Sequence, residues 1–250
     1  MTALVTGASG GLGRAIAVAL AAAGHDIAVH YRSDDAGAAE TSRLVKETGR
    51  QAYAVSLDLE IASPEELDRT VDDLLADVVD HLGDLDVVVL NAFPQDVTPW
   101  HALDTEAWDV MLDGGLRPTA ALLRAAAQSL APGGVIVTIG SIEGFRPAKG
   151  HTPYAVAKAA LHHLTAAAAH ELGPHGIRVV GVAPGLIARE GLAENWPDGI
   201  RRWEKASALG RPVTADEVAQ VVAFLASPAA SAVTGVTIPV DAGWSASPGW

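Results

Sequence analysis

Seven apolar runs separated by segments of helical period constrain this chain more than any other feature. The runs span residues 3–6, 27–31, 52–57, 85–90, 135–139, 178–182 and 236–239. Helical periodicity falls between them at 12–23, 36–48, 64–82, 105–130, 154–172 and 215–226. Strands that are apolar along their length and alternate with helices belong to a parallel sheet covered on both faces. Two helix starts carry their own caps. Ser63-Pro64-Glu65-Glu66 and Thr214-Ala215-Asp216-Glu217 both read as capping boxes, the first with Pro at the first helical position. No linker, repeat or shift of composition interrupts the pattern. The sequence therefore predicts one α/β domain over residues 1–250, a doubly wound Rossmann-type fold whose seven-stranded parallel sheet has helices on both faces.

Composition narrows the partners. Nearly half of the residues, 49%, are hydrophobic, enough for a large core, and the net charge is −13. A nucleic-acid partner needs an excess of Lys and Arg, so that class is excluded, and an anionic membrane surface is disfavoured on the same ground. Without cysteine there is neither a disulfide framework nor a thiolate metal site. The first apolar run begins near Thr2, so no signal peptide is expected, and no apolar run reaches the ~20 residues of a membrane span. A soluble cytoplasmic protein is expected.

Two stretches carry chemistry. Thr6-Gly7-Ala8-Ser9-Gly10-Gly11-Leu12-Gly13 joins the first strand to the first helix. Glycines there permit a tight turn and a close approach of backbone to a pyrophosphate seated on the helix N-terminus. No Gly-Lys-Ser/Thr follows, which argues against a P-loop. The second stretch runs from Ser141 to Lys158. Tyr154 and Lys158 stand four residues apart, on one helix face. An ammonium near a phenol favours the phenolate, which predicts a Tyr154 pKa drawn below ~10 toward the working pH of a general acid–base. Ser141 follows the fifth apolar run, where its hydroxyl faces the crevice in which open α/β sheets bind ligands.

Taken together, the glycine run, Asn91-Ala92, Ser141, Tyr154, Lys158, Pro184-Gly185, Leu209-Gly210-Arg211-Pro212 and Val240-Asp241-Ala242-Gly243 resemble the short-chain dehydrogenase/reductase family over essentially the whole chain. The resemblance implies a dinucleotide site with Gly7, Gly11 and Gly13 at the pyrophosphate and Asp58 at the adenine amino group. Asn91 would fix the strand beside the cofactor, and Pro184 and Gly185 would shape the nicotinamide pocket. Thr6, Ser9, Leu12, Leu59, Ala92 and Ile187 would line the same site. It further implies that Ser141 orients a substrate carbonyl, that Tyr154 protonates its oxygen as hydride arrives, and that Lys158 holds the nicotinamide ribose and acidifies Tyr154. A homotetramer or homodimer built on segments 105–130 and 154–172 is implied too, with Trp244 and Trp250 of the C-terminal tail at another interface.

The cofactor is expected to be NADP(H). Where an NAD-binding chain places Asp or Glu at the end of the second strand, this one has Tyr31, followed by Arg32 and Ser33, which can pair with a 2′-phosphate. Arg14, inside the first helix, is a surface Arg or a further positive charge.

Three departures from the family pattern stand out. The Asn that many members carry in the helix after Trp108, where it holds a water linking the lysine to solvent, is replaced by Gly115 in Leu112-Asp113-Gly114-Gly115-Leu116. Two glycines in a helix cost ~1 kcal/mol each against Ala, which invites a kink, or room for a water or a bulky substrate. Asn-Ala-Gly becomes Asn91-Ala92-Phe93, followed by Pro94, and the usual Thr after Pro-Gly becomes Arg189. A substrate loop over about 186–210 carries Trp196 and Trp203, while Phe93, Trp100 and Phe145 lie in other loops at the carboxyl ends of strands. With Glu143, His151 and Arg189 these aromatic residues are the candidate substrate contacts, and as a set they favour a bulky, aromatic, polyketide- or steroid-like ketone. His162, His163 and His170 show no metal-ligand pattern and read as solvated or interface residues. The favoured function is an NADPH-dependent keto reductase of the kind found in antibiotic biosynthesis. The alternatives are a non-catalytic NADP(H)-binding scaffold protein, motivated by Gly115, or a reductase of C=N or activated C=C bonds.

Overall fold

A computed structural model describes residues 1–61 and 63–246; Trp250 lies outside the described residues. The chain runs β1 (Thr2–Val5), α1 (Gly11–Ala22), β2 (Asp26–Tyr31), α2 (Asp35–Glu47), β3 (Ala52–Ser56), α3 (Pro64–Leu82) and β4 (Leu85–Leu90) in its first half. There follow α4 (Thr105–Met111), a π turn (Leu112–Leu116), α5 (Arg117–Ser129), β5 (Leu130–Ile139), α6 (Thr152–Leu172) and β6 (Arg178–Pro184). The last elements are α7 (Leu192–Asn195), α8 (Pro197–Ala206), α9 (Ala215–Ala226) and β7 (Thr237–Val240). All seven strands are parallel, in the order β3-β2-β1-β4-β5-β6-β7. The order reverses between β1 and β4, which opens the ligand crevice at their carboxyl ends.

Alternate residues of one strand feed opposite cores. Val87 and Val89 of β4 join Ile16 and Leu20 of α1 and Val218 and Val222 of α9 on one face. Val88 and Leu90 join Leu67, Leu74 and Val78 of α3 and Leu122 of α5 on the other. Each such side chain, fully withdrawn from water, contributes roughly 1.5–3 kcal/mol, and this two-sided demand is why the strands are apolar without alternation. At the start of α9, Glu217 N–H donates to Thr214 Oγ1 and Thr214 N–H donates to the Glu217 carboxylate, closing the full capping box. Ser63 accepts from Glu66 N–H at the start of α3.

Three elements differ from the sequence expectation. The helix expected over 105–130 is divided by the π turn at Leu112–Leu116, where the Gly114-Gly115 pair lowers helix propensity and Thr119 Oγ1 donates to the Gly115 carbonyl. β5 starts at Leu130 rather than 135, with a register jump that pairs Leu85 with Leu130 but Val87 with Val135. The segment read as an open substrate loop holds two helices, α7 and α8, the second opening on Pro197 and carrying an Asp198–Arg201 ion pair one turn apart. Among the described residues no helix is long and apolar enough to cross a membrane, and no group of His, Asp and Glu is arranged to hold a metal ion.

Candidate functional site

The turn after β1 is held almost entirely by hydrogen bonds to backbone. Thr6 Oγ1 accepts from the N–H groups of Asn91 (2.8 Å) and Ala92 (2.9 Å), which ties the ends of β1 and β4 together. Asn91 Nδ2 donates back to the carbonyls of Thr6 (2.9 Å) and Gly7 (3.2 Å). From β2, His30 accepts the Gly7 N–H on Nδ1 (3.3 Å) and holds the Leu57 carbonyl through Nε2 (3.1 Å). That pairing fixes the tautomer with hydrogen on Nε2, and burial pushes the His30 pKa down to about 4. Gly7 lies at φ 64°. A Cβ on Gly13 would stand 2.1 Å from the Gly7 carbonyl oxygen, so the first turn of α1 packs directly on the loop. Arg14 braces the turn from outside, through Thr41 Oγ1 (3.0 Å) and the carbonyls of Ser9 and Gly37.

Beside this turn lies a cavity of about 560 Å³ lined by Thr6, Gly7, Ser9, Arg32, Ser33, Asp58, Leu59, Asn91, Ala92 and Phe93, with His30, Glu60 and residues of α5. The N-cap of α1, Gly10, offers no side-chain acceptor and the first turn has no acidic residue, so its N–H groups are available to an anion. A glycine turn that admits close backbone contact, a free helix N-terminus and a cavity of this size fit a dinucleotide. Of the other residues assigned to the cofactor, Gly11, Leu12 and Gly13 form the start of α1, and the Asp35 carboxylate beside Tyr31 raises its pKa. Arg32 is exposed, 3.8 Å from Glu60. Pro184 ends β6, with Gly185 N–H on the Val240 carbonyl and Ile187 bridging to Val213.

Ser141, Tyr154 and Lys158 come together at the carboxyl end of β5, beyond Phe93 from that cavity. Ser141 Oγ accepts the Glu143 N–H (3.1 Å), and its hydroxyl, beside Tyr154, favours the phenolate. The Tyr154 ring sits among Met111, Ala157, Phe93 and Val110. Lys158 is only 2% exposed; its Nζ donates to the Ile139 carbonyl (2.8 Å) and lies 3.6 Å from the centre of the Phe93 ring. Burial reverses the expected direction of the Tyr154 pKa: it is pushed up to about 12, with the Ser141 hydroxyl opposing and the Glu143 charge adding, while burial draws Lys158 down to about 7. In this dry setting burial penalises the charged form of each group. Tyr154 is therefore a protonated phenol at neutral pH.

Phe93 and Gly115 fit one another. A Cβ on Gly115 would lie 2.6 Å from Phe93 Cζ, so the ring occupies the space a side chain there would need. Gly114 differs: a Cβ there would make only ordinary contact, 3.7 Å from Pro94 Cγ. The room left by Gly115 thus holds an aromatic ring from the same chain. His151 is at the mouth of the site: Nδ1 lies 3.0 and 2.9 Å from the two Glu143 carboxylate oxygens, and its ring stands edge-on to Tyr154, 6.4 Å between centres. Phe145 and Trp196 are exposed on loops, and Trp100 is exposed in a short turn of 3₁₀ helix. Trp203 stacks on Trp244 (5.5 Å between centres) and donates its indole N–H to the Arg211 carbonyl, which pins α8 to the C-terminal segment. Arg189 lies exposed between β6 and α7.

Two histidines gain a place at the site that sequence reasoning did not give them. His30 was hidden inside an apolar strand. His162, four residues after Lys158 on α6 and read as a solvated or interface residue, is half-buried: it packs against Phe145 (4.3 Å between centres) and accepts from the Ser141 N–H at 3.5 Å. Its Nδ1 is buried without a partner among the described residues, and burial, with Lys158 nearby, lowers its pKa to about 4. Its i, i+4 spacing from Lys158 was the available signal.

Over 248 residues the chain is 37% identical to short-chain dehydrogenase/reductase eriH of Hericium erinaceus, spanning 96% of each chain. Residues 7–245 match the family model described as enoyl-(acyl carrier protein) reductase. The chain belongs to the short-chain dehydrogenase/reductase family. Solved family structures superpose closely. A short-chain dehydrogenase from Burkholderia cenocepacia J2315 in complex with NADP is 32% identical with a TM-score of 0.89, over 98% of this chain and 97% of that one. The reductase LugOII, which catalyses keto-reduction at C1 during lugdunomycin biosynthesis, is 31% identical with a TM-score of 0.87, over 97% of both chains. Family relatives are dehydrogenases and reductases that interconvert alcohols and carbonyls with a nicotinamide cofactor.

Proposed function

We propose that the protein is an NADPH-dependent carbonyl reductase in which Tyr154 is the general acid, Ser141 orients the carbonyl and Lys158 supports the nicotinamide ribose. One observation carries this reading: the Tyr154 phenol, kept protonated by burial, stands with Ser141 and Lys158 at the carboxyl end of β5. A bound dihydronicotinamide supplies the hydride. Ser141 and Tyr154 hold the ketone oxygen between their hydroxyls, and the Tyr154 proton passes to that oxygen as its charge develops. Thr6, Gly7, Ser9, Gly11, Leu12 and Gly13 hold the pyrophosphate, with Asp58, Leu59, Asn91 and Ala92 around the adenosine and Pro184, Gly185 and Ile187 around the nicotinamide.

Selection of NADPH over NADH rests on Arg32 and Ser33, which line the cavity beyond β2 with Tyr31 in place of a carboxylate, and it has support from the NADP-bound relative. Glu143, Phe145, His151, Trp196 and Arg189 form the substrate side, and an aromatic polyketide-like ketone suits the exposed Phe145 and Trp196 rings. Phe93 and Trp203, engaged with Lys158 and Trp244, shape that pocket from behind. Helices α4, α5 and α6 are the proposed faces of a homodimer or homotetramer acting in the cytoplasm.

Fluorescence titration with NADPH and NADH, followed by NADPH oxidation across polycyclic, aromatic and aliphatic ketones, tests the reading. NADPH is expected to bind more tightly than NADH. Tyr154→Phe is expected to keep NADPH binding and lose at least ~100-fold in kcat, the range for a general acid. Binding without turnover of any ketone would favour the scaffold or C=N and C=C readings instead, and a preference for NADH would remove the role given to Arg32.

A further inference from the structure

We propose that His162 is a positioning residue for the reduction: its imidazole, wedged between Gly140 and Gly144, holds Ser141 where it can orient the carbonyl. The inference rests on Ser141 having that role in the reading above. β5 last meets β6 where the Gly140 N–H donates to the Val182 carbonyl (2.7 Å), so Ser141 is the first residue that the sheet no longer holds. The Ser141 carbonyl accepts the Gly144 N–H (3.0 Å) and its Oγ accepts the Glu143 N–H (3.1 Å). Those two bonds close the turn on itself and do not tie it to the rest of the molecule. The Ser141 N–H does, by donating to His162 Nε2 on α6 (3.5 Å). A bond of that length is weak, and the fit of the ring does more of the holding. A Cβ on Gly140 would collide with His162 Nε2, and one on Gly144 would stand 2.5 Å from His162 Cε1. Glycine on either side of Ser141-Ile142-Glu143 thus lets the imidazole lie directly against backbone, and Phe145 packs on the ring at 4.3 Å between centres.

The ring's chemistry suits the task. Accepting on Nε2 places the hydrogen on Nδ1, and Nδ1 is buried without a partner among the described residues, which is unfavourable for folding. An apolar side chain would fill the same space without that cost, but it would leave the Ser141 N–H without its acceptor. Burial, with Lys158 nearby, keeps the ring neutral down to about pH 4, so the Nε2 lone pair persists at neutral pH. Tyr154, Lys158 and His162 follow one another at steps of four along α6. The helix that carries the acid therefore also sets the serine, and the two hydroxyls that must meet one carbonyl oxygen are referred to a single rigid element. A displacement of ~1 Å at such a site costs up to ~100-fold in rate. His162 acts through Ser141 rather than on the substrate.

The test compares wild type, His162→Ala, His162→Gln, Ser141→Ala and the double variant His162→Ala/Ser141→Ala on one ketone that wild type reduces, with NADPH binding measured separately by fluorescence. His162→Ala is expected to bind NADPH normally and to lose about tenfold in kcat with a smaller change in KM. His162→Gln, whose amide reaches as far as Nε2 and can accept the Ser141 N–H, is expected to recover most of that loss. In the Ser141→Ala background the change at His162 is expected to cost nothing further, because the residue through which it acts is gone. A role confined to packing α6 would instead disturb Tyr154 and Lys158 and add its loss to that of Ser141→Ala. Should His162→Ala not fold, His162→Leu, which fills the space without an acceptor, takes its place and is expected to fall in the same direction by less. Wild-type kcat in the His162 variant, or a further loss in the double variant, would overturn the positioning role while leaving the reductase intact. Wild-type turnover by Ser141→Ala would overturn the underlying role of Ser141, and the inference with it.

Discussion

Thr6, Asn91 and His30 hold the β1–α1 turn through hydrogen bonds to backbone, whereas Phe93 and Gly115, at the far end of the same crevice, are fitted by shape, with the ring face against Lys158. In the first region each polar group is satisfied by a neighbour whose position the sheet already fixes. In the second, one residue is acceptable only because another, far along the chain, is what it is. Hydrogen-bonded turns can be altered one residue at a time with interpretable losses. A packed pair responds to single changes by clashing or by leaving a void, and only the double change reports on it.

The largest effect is expected in the turn. Gly13→Ala would set a Cβ 2.1 Å from the Gly7 carbonyl oxygen, so backbone must move; the expected loss is ~3 kcal/mol in unfolding free energy together with NADPH affinity. Denaturant unfolding and cofactor titration measure both, and a variant that matched wild type in each would break the description of the turn.

A smaller, pH-dependent effect sharpens the comparison. His30 in the turn and His162 near Ser141 are both lowered from 6.5 to about 4. Between those values the unfolded chain binds protons that the folded chain refuses, so stability is full above pH 6.5, falls as pH drops from 6.5 toward 4 and levels off below. His30, the more buried of the two and 2% exposed, is expected to account for most of the fall, at most on the order of 3 kcal/mol. Urea unfolding at pH 7, 5.5 and 4 should show a shallower dependence in His30→Gln than in His162→Gln, and the reverse order would place the greater desolvation in the wrong region.

What could be read from the sequence follows the same division. The alternation of apolar runs and helical segments predicted seven parallel strands, and the glycine run at the end of β1 was legible because its meaning depends on a few consecutive residues. The helix over 105–130 was misjudged because nothing local tells that Gly114 and Gly115 sit under Pro94 and Phe93. Phe93 and Gly115 were each visible as departures from the family pattern, but their fit needed coordinates. The direction of the Tyr154 pKa was misread because helical spacing reports which groups are adjacent, not how much water they have lost. His162 was read as a solvated or interface residue for a related reason: periodicity put it beside Lys158 but did not reveal Phe145 against its ring.

The fit of Phe93 to Gly115 is the claim on which the second region rests, and a double-mutant cycle in unfolding free energy tests it without any cofactor. Gly115 has a negative φ, so its backbone accepts a side chain, and only the ring forbids one. Gly115→Ala is expected to destabilise wild type by about 1–3 kcal/mol but to be neutral or stabilising in a Phe93→Ala background, where the added methyl enters open space and favours helix. That difference is a coupling of roughly 2 kcal/mol. Strictly additive losses would contradict the account, because the two residues would then not share the space that closes Lys158 from solvent.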